Sequence, residues 1–192
     1  MEYISIMKII SETIADGIGW RKSIYCAGCI HQCYNCHNPQ TWDIDNGTFL
    51  SVQELYNEIM DDNPLLDGIT FTGGDPMFQA KSFLELSKMI KANSKYDIWC
   101  YTGFLFEDII SNKDDKYELL KMIDVLVDGQ YIDDLRDLNI AFRGSKNQRI
   151  IDVQESLKQN IIIELDYDSW YFKKIWNSFR TPSLYHYSNS IK

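Results

Sequence analysis

The chain has 192 residues, 45% hydrophobic and 24% charged, a balance that buries one core without disulfides. Its 28 acids against 19 bases leave a net charge of −9, which argues against a protein that wraps nucleic acid, because phosphate binding needs clustered Lys and Arg. The N-terminal residues lack a charged segment leading into a sustained apolar run, and no stretch approaches the ~18 apolar residues of a membrane span. The expectation is a cytoplasmic protein with reduced thiols, no membrane and no nucleic acid.

Tyr3 to Ile10 alternates as a strand, and Ser23 to Tyr25 forms a second that leads into a cysteine cluster. Ser51-Val52-Gln53-Glu54 has the capping-box form, and Val52, Leu55, Tyr56, Ile59 and Met60 then share one helical face that Asn63-Pro64 ends. Ile69 to Thr72 reads as a buried strand running into a Gly-Gly-Asp-Pro turn and a helix with Phe83, Leu86, Met89 and Ile90 inward. Asp97 to Tyr101 is another strand. A helical stretch from 104 to 123 breaks at Asn112 to Lys116, and Val125 to Val127 is a third short apolar strand. Ile161 to Ile163 reads as one more strand, and Asp168-Ser169 as the cap of an aromatic helix carrying Trp170 to Phe179. Strands alternating with helices predict an α/β fold, a partial or closed parallel (β/α) barrel, with function at the carboxyl ends of the strands. The division expected is one domain over 1–158 and an aromatic-rich extension over 159–192, which either covers an open edge or meets a partner.

Four of the five cysteines fall between Cys26 and Cys36, a ligand cluster rather than a disulfide framework. Cys29, Cys33 and Cys36 have the spacing C-x3-C-x2-C. Three thiolates on one loop suit an iron–sulfur cubane that keeps one iron free of protein ligands. A zinc site using Cys26, His31 or His37 stays open, although zinc modules usually separate their ligand pairs by a dozen or more residues. Cys26 and Cys100, in apolar runs, read as core.

Further segments follow in order: Asp16 to Arg21, Thr41-Trp42, Thr72-Gly73-Gly74-Asp75-Pro76, Tyr101-Thr102-Gly103, Leu126 to Gly129, and Arg143-Gly144-Ser145-Lys146-Asn147-Gln148. With the cysteine triplet, these resemble the activating proteins of anaerobic ribonucleoside-triphosphate reductase, within the radical S-adenosylmethionine superfamily. The match runs over roughly residues 3 to 155.

The resemblance implies an oxidoreductase with a 4Fe-4S cluster on Cys29, Cys33 and Cys36 and S-adenosylmethionine as second cofactor. The amino and carboxylate groups of that cofactor would chelate the open iron. It implies reductive cleavage to a 5′-deoxyadenosyl radical, which abstracts hydrogen from a glycine in the glycyl-radical loop of the reductase large subunit. No side chain is required as general acid or base. A flavodoxin- or ferredoxin-type reductant follows by the same analogy. Gly73, Gly74 and Asp75 would meet the methionine moiety, and Asn35, Cys36 and His37 the adenosyl part. Asp128 would sit at the mouth, and Arg143, Ser145, Asn147 and Gln148 would supply donors. The wider superfamily carries Glu where this chain has Asp75, and often an aromatic where it has Asn35. The alternatives are the activase of another glycyl-radical enzyme, of the formate-lyase type, and a non-catalytic zinc-binding interaction module.

Overall fold

The computed structural model describes residues 2–60 and 63–168. One mixed sheet of seven strands organises them: β1 (Tyr3–Thr13), β2 (Arg21–Cys26), β3 (Thr48–Ser51), β4 (Gly68–Gly73), β5 (Asp97–Tyr101), β6 (Val125–Asp128) and β7 (Arg149–Asp152). Their order across the sheet is β3-β1-β2-β4-β5-β6-β7. The helices are α1 (Val52–Ile59), α2 (Ala80–Asn93), α3 (Phe106–Asn112), α4 (Asp115–Leu120) and α5 (Val153–Gln159).

The sheet departs from the expected parallel barrel in two respects. It is open, with β3 and β7 as its edges, and only the central β2-β4-β5-β6 pairings are parallel. β1 is antiparallel to β2 and β3, and β7 is antiparallel to β6. Connection length explains the β1–β2 pairing: the link from Ile14 to Trp20 is too short for a crossover and admits only a hairpin. The α2 and α3–α4 connections are long enough to return the chain in parallel.

Alternation along the strands divides the two faces. Ile24, Cys26, Ile69, Phe71, Ile98, Cys100, Leu126 and Ile151 point into the main core, where α1 and α2 contribute Leu55, Ile59, Phe83, Leu86 and Ile90. Phe71 and Phe83 meet with ring centroids 4.7 Å apart. The opposite face carries a smaller cluster of Trp99, Val127 and Ile150, with Phe142, Leu165 and Tyr167 packed on it. Cys26 and Cys100 are fully buried, as their apolar surroundings implied.

The helix boundaries have local causes. Ser51 Oγ accepts from the Glu54 N–H at 3.2 Å, and Glu54 Oε2 accepts from the Ser51 N–H at 2.9 Å, so the capping box forms. The expected break in the 104–123 stretch falls at Lys113, which takes a left-handed φ of 48° and separates α3 from α4. Ile161 to Ile163 is not a strand. The true seventh strand is Arg149–Asp152, and the following chain touches it by one bridge, Glu164 to Ile151. The helix expected over Trp170 to Phe179 lies outside the described residues. No helix among the described residues is long and apolar enough to cross a membrane.

Candidate functional site

A cavity of about 500 Å³ opens at the carboxyl ends of the parallel strands, on the sheet face away from the helices. Strand alternation explains its floor: Tyr25, Thr72 and Tyr101 are the outward neighbours of core residues on β2, β4 and β5, and all three line it. Tyr25 and Thr72 are direct partners in the β2–β4 register. Tyr25 donates to Asp16 Oδ2 at 2.9 Å, and burial together with that carboxylate pushes its phenol above the usual range.

Cys29, Cys33 and Cys36 all border this cavity. Their loop leaves β2 and returns beside itself, with the Gly28 N–H on Thr41 O at 2.7 Å and the Cys29 N–H on Trp42 O at 3.0 Å. Gln32 and Asn35, the residues just before Cys33 and Cys36, take left-handed φ values of 44° and 55°. The loop turns tightly between them, with the Cys36 N–H on Cys33 O at 3.1 Å. Burial pushes the Cys29 thiol up to about 11, opposed by the backbone N–H groups of His31 and Gln32. The Cys33 thiol is also raised by burial, opposed by the backbone of Tyr131. Thiols held in this way become thiolates when a cationic centre binds them.

Gly73 and Gly74 form the wall facing that loop. The expectation was that their missing side chains admit a ligand, but the closest demand comes from the chain itself. A β-carbon on Gly74 would stand 2.6 Å from the Gly28 carbonyl oxygen, and one on Gly73 would stand 2.6 Å from the Cys26 nitrogen. The glycine pair lets β4 nest against the strand that delivers the cysteines, and it still lines the cavity. Asp75 caps the turn that follows, accepting from the Met77 N–H at 2.9 Å, with Pro76 at the first helical position. Its other oxygen accepts three bonds of 2.9 Å, from His31 Nε2, Thr102 Oγ1 and the Gly103 N–H.

The remaining candidates divide. His37 and Arg143 line the cavity; Asn35 and Asp128 do not. Asn35 instead donates to Asp133 at 2.9 Å, tying the cysteine loop to the β6–β7 connection. Asp128 is fully buried below the mouth, where it accepts from the Phe106 N–H at 2.9 Å and pairs with Arg149. Its carboxylate seats the start of α3. Arg143 pairs with Asp168 and donates to Ala141 O at 3.3 Å.

Ser145, Asn147 and Gln148, expected to offer donors to a ligand, direct them into the connection itself. Gln148 accepts from the Gly144 N–H and donates to Gly129 O, both at 2.9 Å; Asn147 donates to Gln130 O at 2.8 Å; Ser145 Oγ receives the Ile132 N–H at 3.2 Å. The segment therefore braces Gly129 to Ile132, which backs the cysteine loop. Sequence reasoning missed that bracing role, and it also missed His31, weighed there only as a zinc ligand.

These residues fit an iron–sulfur cluster. Three soft thiolate donors share one cavity, backbone N–H groups stabilise two of the sulfurs, and the buried Trp42 Nε1–H on the cavity wall has no partner among the described residues.

Residues 15–151 match the family described as a 4Fe-4S single cluster domain, and the chain belongs to that class of iron–sulfur protein. Three named relatives narrow it further. The anaerobic ribonucleoside-triphosphate reductase-activating protein of Escherichia coli K12 is 32% identical over 70% of this chain and 90% of its own length. The same-named proteins of Enterobacteria phage T4 (36%, over 70% and 85%) and Vibrio cholerae (34%, over 71% and 90%) are equally near. The chain is a member of this family of anaerobic ribonucleoside-triphosphate reductase-activating proteins, with a 4Fe-4S single cluster domain. Among solved structures, QueE from Escherichia coli superposes with a TM-score of 0.45 at 18% identity over 53% of this chain and 52% of that one, too loose a likeness to bear on function.

Proposed function

We propose that the chain activates an anaerobic ribonucleoside-triphosphate reductase by installing a glycyl radical on its large subunit. The observation that carries this reading is the meeting of Cys29, Cys33, Cys36 and the Gly73-Gly74-Asp75 turn on one cavity at the strand ends. Cys29, Cys33 and Cys36 would hold the cluster, which would supply the electron for reductive cleavage of S-adenosylmethionine to methionine and a hydrogen-abstracting 5′-deoxyadenosyl group.

The chain's own residues bind, orient and shelter. The backbone N–H groups of His31 and Gln32 face the Cys29 sulfur, the Asn38 N–H donates to the Cys36 sulfur at 3.4 Å, and Trp42 Nε1–H offers one further donor from the wall. Gly73 and Gly74 line the wall facing the cysteine loop, against which the methionine part would lie. Asp75 acts through what it holds, because both its oxygens are already engaged. His37 and Tyr131, tilted against each other with centroids 5.8 Å apart, give the cavity an aromatic surface on the side of the β6–β7 connection. Leu138, Ile140 and Phe142 give that side of the cavity an apolar border, which keeps water from a reactive radical. The reductant is a flavodoxin- or ferredoxin-type protein.

The test is anaerobic reconstitution with iron and sulfide. The reading expects close to four irons and four sulfides per chain, together with methionine and 5′-deoxyadenosine formed from S-adenosylmethionine under reduction. Zinc without labile sulfide, in protein prepared without oxygen, would refute it.

A further inference from the structure

His31 stands midway in sequence between Cys29 and Cys33 and lines the same cavity, yet only 8% of its side chain is exposed. Its Nε2 lies 2.9 Å from Asp75 Oδ2 and its Nδ1 lies 3.2 Å from Gln130 Nε2. A carboxylate only accepts, so Nε2 carries the proton and donates to Asp75, while Nδ1 accepts from the Gln130 amide. The ring is gripped by edge contacts as well, 4.8 Å from Phe104 and 5.6 Å from Phe78. Gly103 completes the seat: a β-carbon there would stand 2.5 Å from the imidazole Cδ2 and 2.7 Å from Nε2.

We propose that His31 is a positioning residue, which pins the cysteine loop to the carboxyl ends of β4, β5 and β6 and so sets the cluster's place relative to S-adenosylmethionine. The anchor points are Asp75 after β4, Thr102 and Gly103 after β5, and Gln130 after β6. His31 itself bonds Asp75 after β4 and Gln130 after β6, while Thr102 and Gly103 after β5 hold the Asp75 oxygen that receives it, so the loop cannot shift without breaking one of these bonds. The proposal rests on the reading that Cys29, Cys33 and Cys36 hold the cluster. It adds that three thiolates alone do not fix where that cluster sits.

Gly103 allows a test that leaves His31 in place. Full-length wild type, His31→Ala, Gly103→Ala and the double variant are reconstituted anaerobically, and iron and sulfide are counted. The electron paramagnetic resonance spectrum of the reduced cluster is then recorded with and without S-adenosylmethionine, and its dissociation constant is measured. Wild-type loading is expected in all four. The shift in signal that S-adenosylmethionine causes should be broadened or lost in His31→Ala and in Gly103→Ala, with binding weakened about tenfold or more, since misplacement on the ångström scale costs up to 10²-fold. Because both changes disturb one seat, the double variant should be no worse than the worse single one.

Unchanged signal and affinity at equal loading in the single variants would overturn the proposal, as would losses that add in the double variant. A His31→Ala chain that lost its iron beside an unaffected Gly103→Ala would also overturn it, making His31 a ligand. Wild-type protein that takes up no cluster would sink the cluster reading itself, which is a separate result.

Discussion

At the scale of single residues the five cysteines sort by surroundings. Cys29, Cys33 and Cys36 border the cavity with partly exposed thiols, and Cys26 and Cys100 are fully buried with thiols raised by desolvation. Replacing any one of the first three by Ala is expected to abolish S-adenosylmethionine cleavage under reducing, anaerobic conditions, measured as 5′-deoxyadenosine formed. Cys26→Ala and Cys100→Ala should keep substantial activity, at a stability cost on the order of 1–2 kcal/mol, as for other modest truncations in a core. Loss of the cluster in Cys26→Ala alone would show the ligand assignment to be mistaken. Glu107 offers a pH test. Its hydrogen bond to Arg149 holds its carboxyl below the ordinary 4.5, so its contribution to stability is present above that value and is lost as pH falls through the lowered one. Urea midpoints measured from pH 6 down should fall less steeply in Glu107→Gln than in wild type.

At the scale of elements, a capped helix supports the main core and a braced connection backs the cavity. Ser51→Ala removes the box that starts α1 and should cost about 0.5–2 kcal/mol in urea denaturation without changing cluster content. Gln148→Ala strips partners from the Gly144 and Ser145 N–H groups and the Gly129 carbonyl together. The expected loss is about 1–3 kcal/mol, accompanied by weaker S-adenosylmethionine binding, because the braced residues back the cysteine loop. A variant as stable as wild type would mean that the connection is held by other contacts.

Across the whole molecule, the parts legible in the sequence were those with local causes. The capping box, the break between Asn112 and Lys116, and strands β4, β5 and β6 follow from spacing and periodicity that the structure retains. Arg149–Asp152 was missed because a four-residue strand beside a motif carries little pattern of its own, while the longer β-branched run Ile161 to Ile163 drew the assignment and then paired through a single bridge. The antiparallel edges were hidden for the same reason, since strand direction depends on what a connection can span. Asp128 and the Arg143–Gln148 segment look like ligand donors in one dimension. Only the fold shows that Arg149, Phe106 and the 129–132 backbone take up most of their bonds.

The account's central claim concerns one corner of one cofactor: three thiolates hold the cluster and the fourth iron is left for S-adenosylmethionine. The most direct measurement is electron paramagnetic resonance on the reconstituted chain mixed with its reductase, reduced without oxygen and given S-adenosylmethionine. The account predicts that the cluster signal changes on adding S-adenosylmethionine and that a glycyl radical then appears on the reductase large subunit, with neither event in the Cys33→Ala chain. A fully loaded cluster whose signal ignores S-adenosylmethionine, with no radical on the partner, would contradict it.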